Sequence, residues 1–115
     1  MSRVLLVDDD AGALPIRKLI LEQEGHHVFA ATSADRAREL FHSETPDSVI
    51  LDLRIPEAEN GLALIRELRA ASRDVQIVVL SGWCADIDGR DESLLVDLVL
   101  SKPVRSEVLL RVIPV

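Results

Sequence analysis

The chain has 115 residues, of which 48% are hydrophobic, so it is long enough to bury a sizeable core. We expect one domain over residues 1–115, with no room for a second module. The formal charge of −7 is spread along the chain without a long block of one sign, which argues against a nucleic-acid-binding surface.

Five short apolar segments recur along the chain, and each has the length of a strand. They lie at 4–7, 28–31, 49–51, 75–80 and 98–100. Because they are apolar throughout rather than alternating, each is predicted to be a strand covered on both faces. These segments are too short to span a membrane and no signal peptide precedes them, so we expect a cytoplasmic protein with no membrane partner.

Segments with helical spacing separate these strands. Helices are predicted at 14–24, after Thr32-Ser33, from Asn60-Gly61 onward, and at 105–113 before Pro114. Residues 83–93 carry many acidic side chains and few apolar ones, so a fourth helix there is expected to be short or mobile. The alternation of strands and helices predicts a parallel sheet with helices on both faces, although the pattern alone leaves the strand order open.

Acidic side chains follow two of the predicted strands. Asp8 and Asp9 come directly after the first strand, and Asp52 comes directly after the third. Because the carboxyl ends of parallel strands lie at one edge of the sheet, we expect these carboxylates to converge there. Like charges are costly to hold together without a cation, so the pattern predicts a magnesium site beside a reactive carboxylate.

Four short motifs, each at the end of a different predicted strand, resemble those of the receiver domain of bacterial response regulators. The motifs are Val7-Asp8-Asp9, Leu51-Asp52-Leu53 with Pro56, Ser81-Gly82, and Lys102-Pro103. The resemblance covers nearly the whole chain and is to the chemotaxis-regulator type. It implies an α/β, flavodoxin-like, doubly wound fold with a five-stranded parallel sheet in the order 2-1-3-4-5 and helices on both faces.

The resemblance also implies a function and a set of partners. A histidine kinase or phosphotransfer protein would transfer a phosphoryl group to Asp52 in a Mg²⁺-dependent reaction, which would act as a conformational switch in two-component signal transduction. The domain would catalyse only its own phosphorylation and dephosphorylation, and so would not be an enzyme in the usual sense. An output domain or effector protein would receive the signal, while the oligomeric state stays open.

The same resemblance assigns a role to each site residue. Asp9, Asp52 and the backbone carbonyl of Arg54 would bind Mg²⁺, with Asp8 acting through water. Lys102 is an ammonium on a long stem that can reach Asp52 before transfer and the phosphoryl group afterwards, and a cis bond to the next proline would aim it inward. Ser81 offers a hydroxyl donor to a phosphoryl oxygen.

Each of these residues taken alone has a simpler interpretation. Asp8, Asp9 and Asp10 could form a solvated turn before a helix, where acidic residues are favoured. Ser81 could be a cap and Lys102 a surface charge. Their coincidence at four strand ends favours a phosphorylation site.

Two other functions are compatible with parts of this pattern. A pseudo-receiver would keep the fold and act by protein contact without phosphorylation. A phosphohydrolase resembling the haloacid dehalogenase group would place its nucleophile in Asp-x-Asp after the first strand, whereas this chain has Asp8-Asp9-Asp10 and no room for a cap domain.

The chain departs from the common receiver pattern in three places. Val99 stands where the family usually carries an aromatic residue that moves with the switch hydroxyl. The loop at 57–61 is one residue longer than usual, and residues 83–96 match the fourth helix weakly. The kinase, the pathway, the output partner and the phosphoryl lifetime are therefore left open, as is whether the chain is a fragment of a larger regulator.

Overall fold

The computed structural model describes residues 2–113 and shows five parallel strands and four α-helices within them. The strands are β1 (Arg3–Val7), β2 (His27–Ala31), β3 (Ser48–Asp52), β4 (Gln76–Ser81) and β5 (Leu98–Ser101). The helices are α1 (Ala13–Gln23), α2 (Ala34–Glu44), α3 (Ala58–Ala71) and α4 (Ser106–Val112). The predicted strands and helices are confirmed, although α3 begins before Asn60; Pro114, predicted to end the last helix, lies outside the described residues.

The strand order is β2-β1-β3-β4-β5, and every neighbouring pair is parallel. This is the order that the resemblance implies, and it gives the doubly wound α/β fold. Every residue of β3 is buried, as expected for a strand covered on both faces. The prediction of two covered faces is wrong for β2 and β5, whose side chains are partly exposed because these strands lie at the two edges of the sheet.

The sheet divides the interior into two hydrophobic cores. Leu5 and Val7 of β1 face a core that α2 and α3 complete, whereas Val4 and Leu6 face one that α1 and α4 complete. Successive side chains of a strand point to opposite faces, so a continuous apolar run can serve both cores. The sheet is thereby fixed from both sides, and its carboxyl edge becomes a rigid support for side chains placed there.

Helix ends follow local side-chain chemistry. The hydroxyl of Ser33 accepts a hydrogen bond from the N–H of Arg36 at 3.2 Å and so caps α2 as predicted. Gly61 lies on the face of α3 that meets the segment after β3, where an added Cβ would collide with the backbone of Leu53. A glycine is therefore required for α3 to approach the residue that directly follows Asp52.

The segment after β4 contains two short 3₁₀ helices in place of a fourth α-helix, at Cys84–Asp86 and Asp91–Leu95. The second is fixed to α3 by an ion pair between Arg66 and the buried carboxylate of Glu92. Arg69 of α3 donates from Nε to the carbonyl of Leu95 at 2.9 Å and is partly buried.

None of the helices found between residues 2 and 113 combines the length and the hydropathy needed to cross a membrane.

Candidate functional site

The carboxyl ends of β1 and β3 bring three carboxylates together. The two strands pair in parallel with Val7 opposite Leu51, so the residues that follow, Asp8 and Asp52, lie at the same edge of the sheet. One carboxylate oxygen each from Asp8, Asp9 and Asp52 can be chosen so that all three lie within 4.8 Å of one another. The convergence predicted from the strand ends is thus present in the structure.

The three carboxylates differ in their exposure to solvent. Asp8 is only 1% exposed and Asp52 only 7%, whereas Asp9 is exposed. Asp8 forms an ion pair with Arg17 of α1 through Oδ2, and its Oδ1 accepts a hydrogen bond from the N–H of Asp10 at 2.9 Å. The most deeply buried member of the cluster is therefore held by its own partners.

Asp52 is held by Lys102, which lies directly after β5. The ammonium of Lys102 forms an ion pair with Oδ2 of Asp52, and the N–H of Arg54 donates to Oδ1 at 3.2 Å. The peptide bond from Lys102 to Pro103 is cis, as the resemblance implies. Burial raises the pKa of Asp52 above its ordinary value, and the charge of Asp8 adds to this, while the hydrogen bond from Lys102 acts in the opposite direction without cancelling it.

A cavity of about 350 Å³ opens beside Asp52. Its lining comes from the ends of several strands and the loops that follow them, namely Asp9, Asp52, Leu53, Arg54, Pro56, Ser81, Gly82, Trp83 and Lys102. Every predicted site residue except the buried Asp8 therefore faces one space. An added Cβ at Gly82 would meet nothing within 4 Å, so this part of the cavity is open.

The hydroxyl of Ser81 is engaged with the backbone of the following turn. It donates to the carbonyl of Trp83 at 2.8 Å and accepts from the N–H of the same residue at 3.1 Å. Because a hydroxyl hydrogen can rotate, Ser81 can exchange this carbonyl for another acceptor in the cavity.

Arg54 reaches outward with its side chain, in a contact that the sequence did not indicate. Its guanidinium binds both carboxylate oxygens of Asp86, with Nε–Oδ2 2.7 Å and Nη2–Oδ1 3.1 Å, and lies 5.7 Å from the centre of the Trp83 ring. The hydrogen bond from Arg54 lowers the pKa of Asp86. Arg54 and Trp83 both line the cavity, and Asp86 holds the guanidinium of Arg54 beside it.

The simpler interpretation of the acidic run holds for one of its members. Asp10 turns away from the cluster and accepts hydrogen bonds from the N–H groups of Gly12 and Ala13, at 2.9 Å and 3.2 Å, just before α1. The run thus combines two residues of the acidic cluster with a turn residue. The sequence did not predict a role for Arg17 or Asp86. Arg17 of α1 contacts the end of β1, and Asp86 of a 3₁₀ helix contacts the loop after β3, so neither contact follows a regular spacing in the sequence.

The donor set fits a hard divalent cation. All of its candidate ligand atoms are carboxylate oxygens, and Asp9 and Asp52 both face the cavity. Magnesium prefers one or two carboxylates together with water and phosphate oxygens, and the cavity leaves room for these. The arrangement can therefore concentrate positive charge next to a buried carboxylate.

Comparison with known proteins gives one consistent result. A sequence profile described as the response regulator receiver domain matches residues 4–114. The virulence transcriptional regulatory protein PhoP of Salmonella typhimurium strain LT2 is 38% identical over 86 residues, which cover 72% of this chain and 38% of PhoP. The matched part of this chain spans about a third of the length of these transcriptional regulators.

Solved structures agree with the sequence comparison. A CheY-like receiver domain from Methylobacillus flagellatus superposes with a TM-score of 0.85 at 29% identity, covering 97% of this chain and 95% of that one. The response regulator protein TrrA from Thermotoga maritima, solved in complex with Mg²⁺-BeF, also gives 0.85 at 28% identity, covering 96% and 95%.

Proposed function

As a member of the response regulator receiver domain family, this chain is a signalling domain of two-component systems, and we propose that Asp52 is its phosphoryl acceptor. The donor would be a histidine kinase or a phosphotransfer protein. The observation that carries the proposal is the position of Asp52, which faces the cavity between the other acidic side chains and the ammonium of Lys102.

The proposed transfer forms one bond and breaks one. An oxygen of Asp52 bonds to phosphorus, the bond from phosphorus to the donor imidazole nitrogen breaks, and the imidazole leaves with the electron pair. Lys102, which pairs with Asp52 in the structure, would follow the negative charge onto the phosphoryl oxygens. Ser81 would rotate from the carbonyl of Trp83 to a phosphoryl oxygen, so both residues would adopt new partners.

We propose that Mg²⁺ is the cation of this site. Asp9, Asp52 and the backbone carbonyl of Arg54 would bind it, with Asp8 acting through water. When bound, the ion would neutralise part of the negative charge of the carboxylates and the phosphoryl group. The all-oxygen donor set supports this assignment, as does the Mg²⁺-BeF complex of the similar protein TrrA.

The recipient of the signal and the cellular location are proposed from membership of the family. The transcriptional regulators that resemble this chain match it over only about a third of their own length, so an output domain or effector protein is the proposed recipient of the signal. We propose that residues 1–115 act as one receiver domain that catalyses only its own phosphorylation and dephosphorylation. A cytoplasmic location, where kinases of this kind transfer their phosphoryl group, is part of the same proposal.

A pseudo-receiver is the second candidate, and one observation favours it. Val99, in the place of the usual aromatic residue, is partly buried against the core that α2 and α3 complete. A side chain without a ring in that position cannot report the movement of Ser81 by swinging inward. This favours an altered output, although the acidic cluster and Lys102 remain arranged for phosphorylation.

Incubation with acetyl phosphate and Mg²⁺, followed by intact mass spectrometry, tests the proposal. We expect the wild-type chain to gain the mass of one phosphoryl group, and the gain to disappear with EDTA or in Asp52→Asn. Asp88→Asn, which removes an exposed carboxylate elsewhere, is the matched control and should be modified like the wild type. A wild-type chain that gains no mass while binding its partners would support the pseudo-receiver, and steady release of phosphate from simple esters would support the phosphohydrolase.

A further inference from the structure

Arg17 of α1 contacts the acidic cluster but belongs to none of the motifs that define the site. Its guanidinium forms an ion pair with the buried carboxylate of Asp8, and its own side chain is only 18% exposed. We infer that Arg17 is a built-in counter-charge which competes with the divalent cation for Asp8 and so lowers the affinity of the site for Mg²⁺. This inference rests on the metal site of the proposed function.

The competition follows from how fully Asp8 is occupied. One of its oxygens is paired with Arg17, and the other accepts the N–H of Asp10. A carboxylate has only about four lone-pair positions, and a charged donor takes the strongest share of them. Any water that links Asp8 to a cation must therefore share this carboxylate with the guanidinium.

The net charge of the site supports the same inference. Asp8, Asp9 and Asp52 carry three negative charges, and Arg17 and Lys102 return two positive ones, so the cluster retains one net negative charge. Without Arg17 the site would hold two net negative charges. Because Asp8 and Asp52 are buried and the side chain of Arg17 is only 18% exposed, solvent screens this difference in charge less than it would at the protein surface.

The contact of Arg17 differs from ordinary surface pairs on the same helix. The neighbouring Lys18 pairs with Glu22 at 3.5 Å, with side chains 39% and 40% exposed, an arrangement that contributes little. Arg17 instead directs its charge to the N-terminal end of α1, where the helix dipole disfavours a cation. The buried carboxylate of Asp8 offsets this cost, which explains why the guanidinium lies there.

The test is a Mg²⁺ titration of the full chain at constant ionic strength, followed by the fluorescence of Trp83. This tryptophan is the only one in the sequence and lines the cavity. Arg17→Met keeps an aliphatic stem and removes the charge, and we expect it to lower the Kd for Mg²⁺ about tenfold. Arg17→Lys, which keeps the charge, should remain within about threefold of the wild type.

Lys18→Met is the matched control, because it removes the same charge from the adjacent position of α1 without touching the acidic cluster. It should leave the Kd unchanged. A second readout is the increase in Tm at a fixed Mg²⁺ concentration, which should be larger in Arg17→Met than in the wild type, since the ion then replaces a missing partner of Asp8. This readout works even if the variant is destabilised without metal.

The outcomes separate this inference from the proposed function. If the wild type binds Mg²⁺ and Arg17→Met binds it equally or more weakly, Arg17 is not a competitor and the inference fails alone. If neither protein binds Mg²⁺ by either readout, the proposed metal site and the inference fail together.

Discussion

Single charged side chains decide the chemistry of this site, and their burial works against their ionisation. Asp52 is buried next to Asp8, so its pKa is raised even though Lys102 is hydrogen-bonded to it. A carboxylate held in this way is stabilised by any additional positive charge that enters the cavity. The residue proposed to react is therefore poised to respond to a cation.

The raised pKa of Asp52 predicts a pH-dependent effect of Asp52→Asn on stability. The folded carboxyl keeps its proton to higher pH than the unfolded one, so wild-type stability falls as the pH rises from the ordinary Asp pKa through the raised one. In EDTA, the variant should therefore be more stable than the wild type at neutral pH, and this difference should shrink as the pH falls into the ordinary Asp range. Urea unfolding across this pH range measures it.

Two results bear directly on that expectation. Saturating the wild type with Mg²⁺ at neutral pH should reduce the difference in stability between it and Asp52→Asn, because the cation stabilises the ionised carboxylate. If Asp52→Asn proves less stable than the wild type at neutral pH in EDTA, the account of the raised pKa is wrong.

The site residues at the strand ends could be predicted from the sequence, whereas the ion pairs that join them to other elements could not. The apolar runs place Asp8 and Asp52 at the same edge of a parallel sheet, and the pairing of β1 with β3, which the family resemblance implies, brings the two residues together. The pairing of Arg17 with Asp8 depends on how α1 is rotated about its axis, and that of Arg54 with Asp86 depends on the path of a 3₁₀ segment. No periodicity in the chain encodes either feature.

At the scale of secondary structure, α3 supports the site by packing closely on the segment after β3. Gly61 permits this approach because a Cβ there would collide with the carbonyl of Leu53. Asp52 directly precedes Leu53, so the position of α3 affects the end of β3 and the carboxylate that it carries.

Gly61→Ala is expected to destabilise the domain by about 2 kcal/mol, the usual cost of inserting a methyl group where the packing has no room for it. Gly82→Ala is the matched control, since its Cβ would meet nothing within 4 Å. Urea unfolding of both variants measures the difference. Equal midpoints for the two variants would show that α3 does not pack as tightly as described.

The secondary structure of the segment between β4 and β5 could not be predicted from the sequence. Its acidic composition indicated a weak helix, and the structure has two 3₁₀ turns. Their positions are set by charged contacts with other elements, such as Glu92 with Arg66. Local propensity cannot anticipate structure that depends on such distant partners.

Across the whole molecule, the alternation of strands and helices was sufficient to predict a parallel sheet covered on both faces. The order β2-β1-β3-β4-β5 came from the family resemblance, because the same apolar pattern is compatible with several orders. The position of β5 at the edge, and hence its partial exposure, follows from that order rather than from its own sequence.

Binding of Mg²⁺ should stabilise the whole domain, because the assembled acidic cluster exists only in the folded state. At a concentration one hundred times the Kd, the free energy of unfolding should rise by about 2.7 kcal/mol. Asp9→Asn should abolish this increase, whereas Asp74→Asn, at an exposed position outside the acidic cluster, should retain it. Thermal unfolding with and without the ion measures the effect, and an equal response of both variants would place the cation elsewhere.

The proposal that Asp52 is the phosphoryl acceptor is tested by locating the phosphoryl group chemically. The chain is phosphorylated with acetyl phosphate and Mg²⁺, reduced with borohydride to convert the acyl phosphate into a stable alcohol, digested, and sequenced by mass spectrometry. We expect reduction at position 52 alone. Reduction at Asp8, at Asp9 or at any other carboxylate, with none at Asp52, would contradict it.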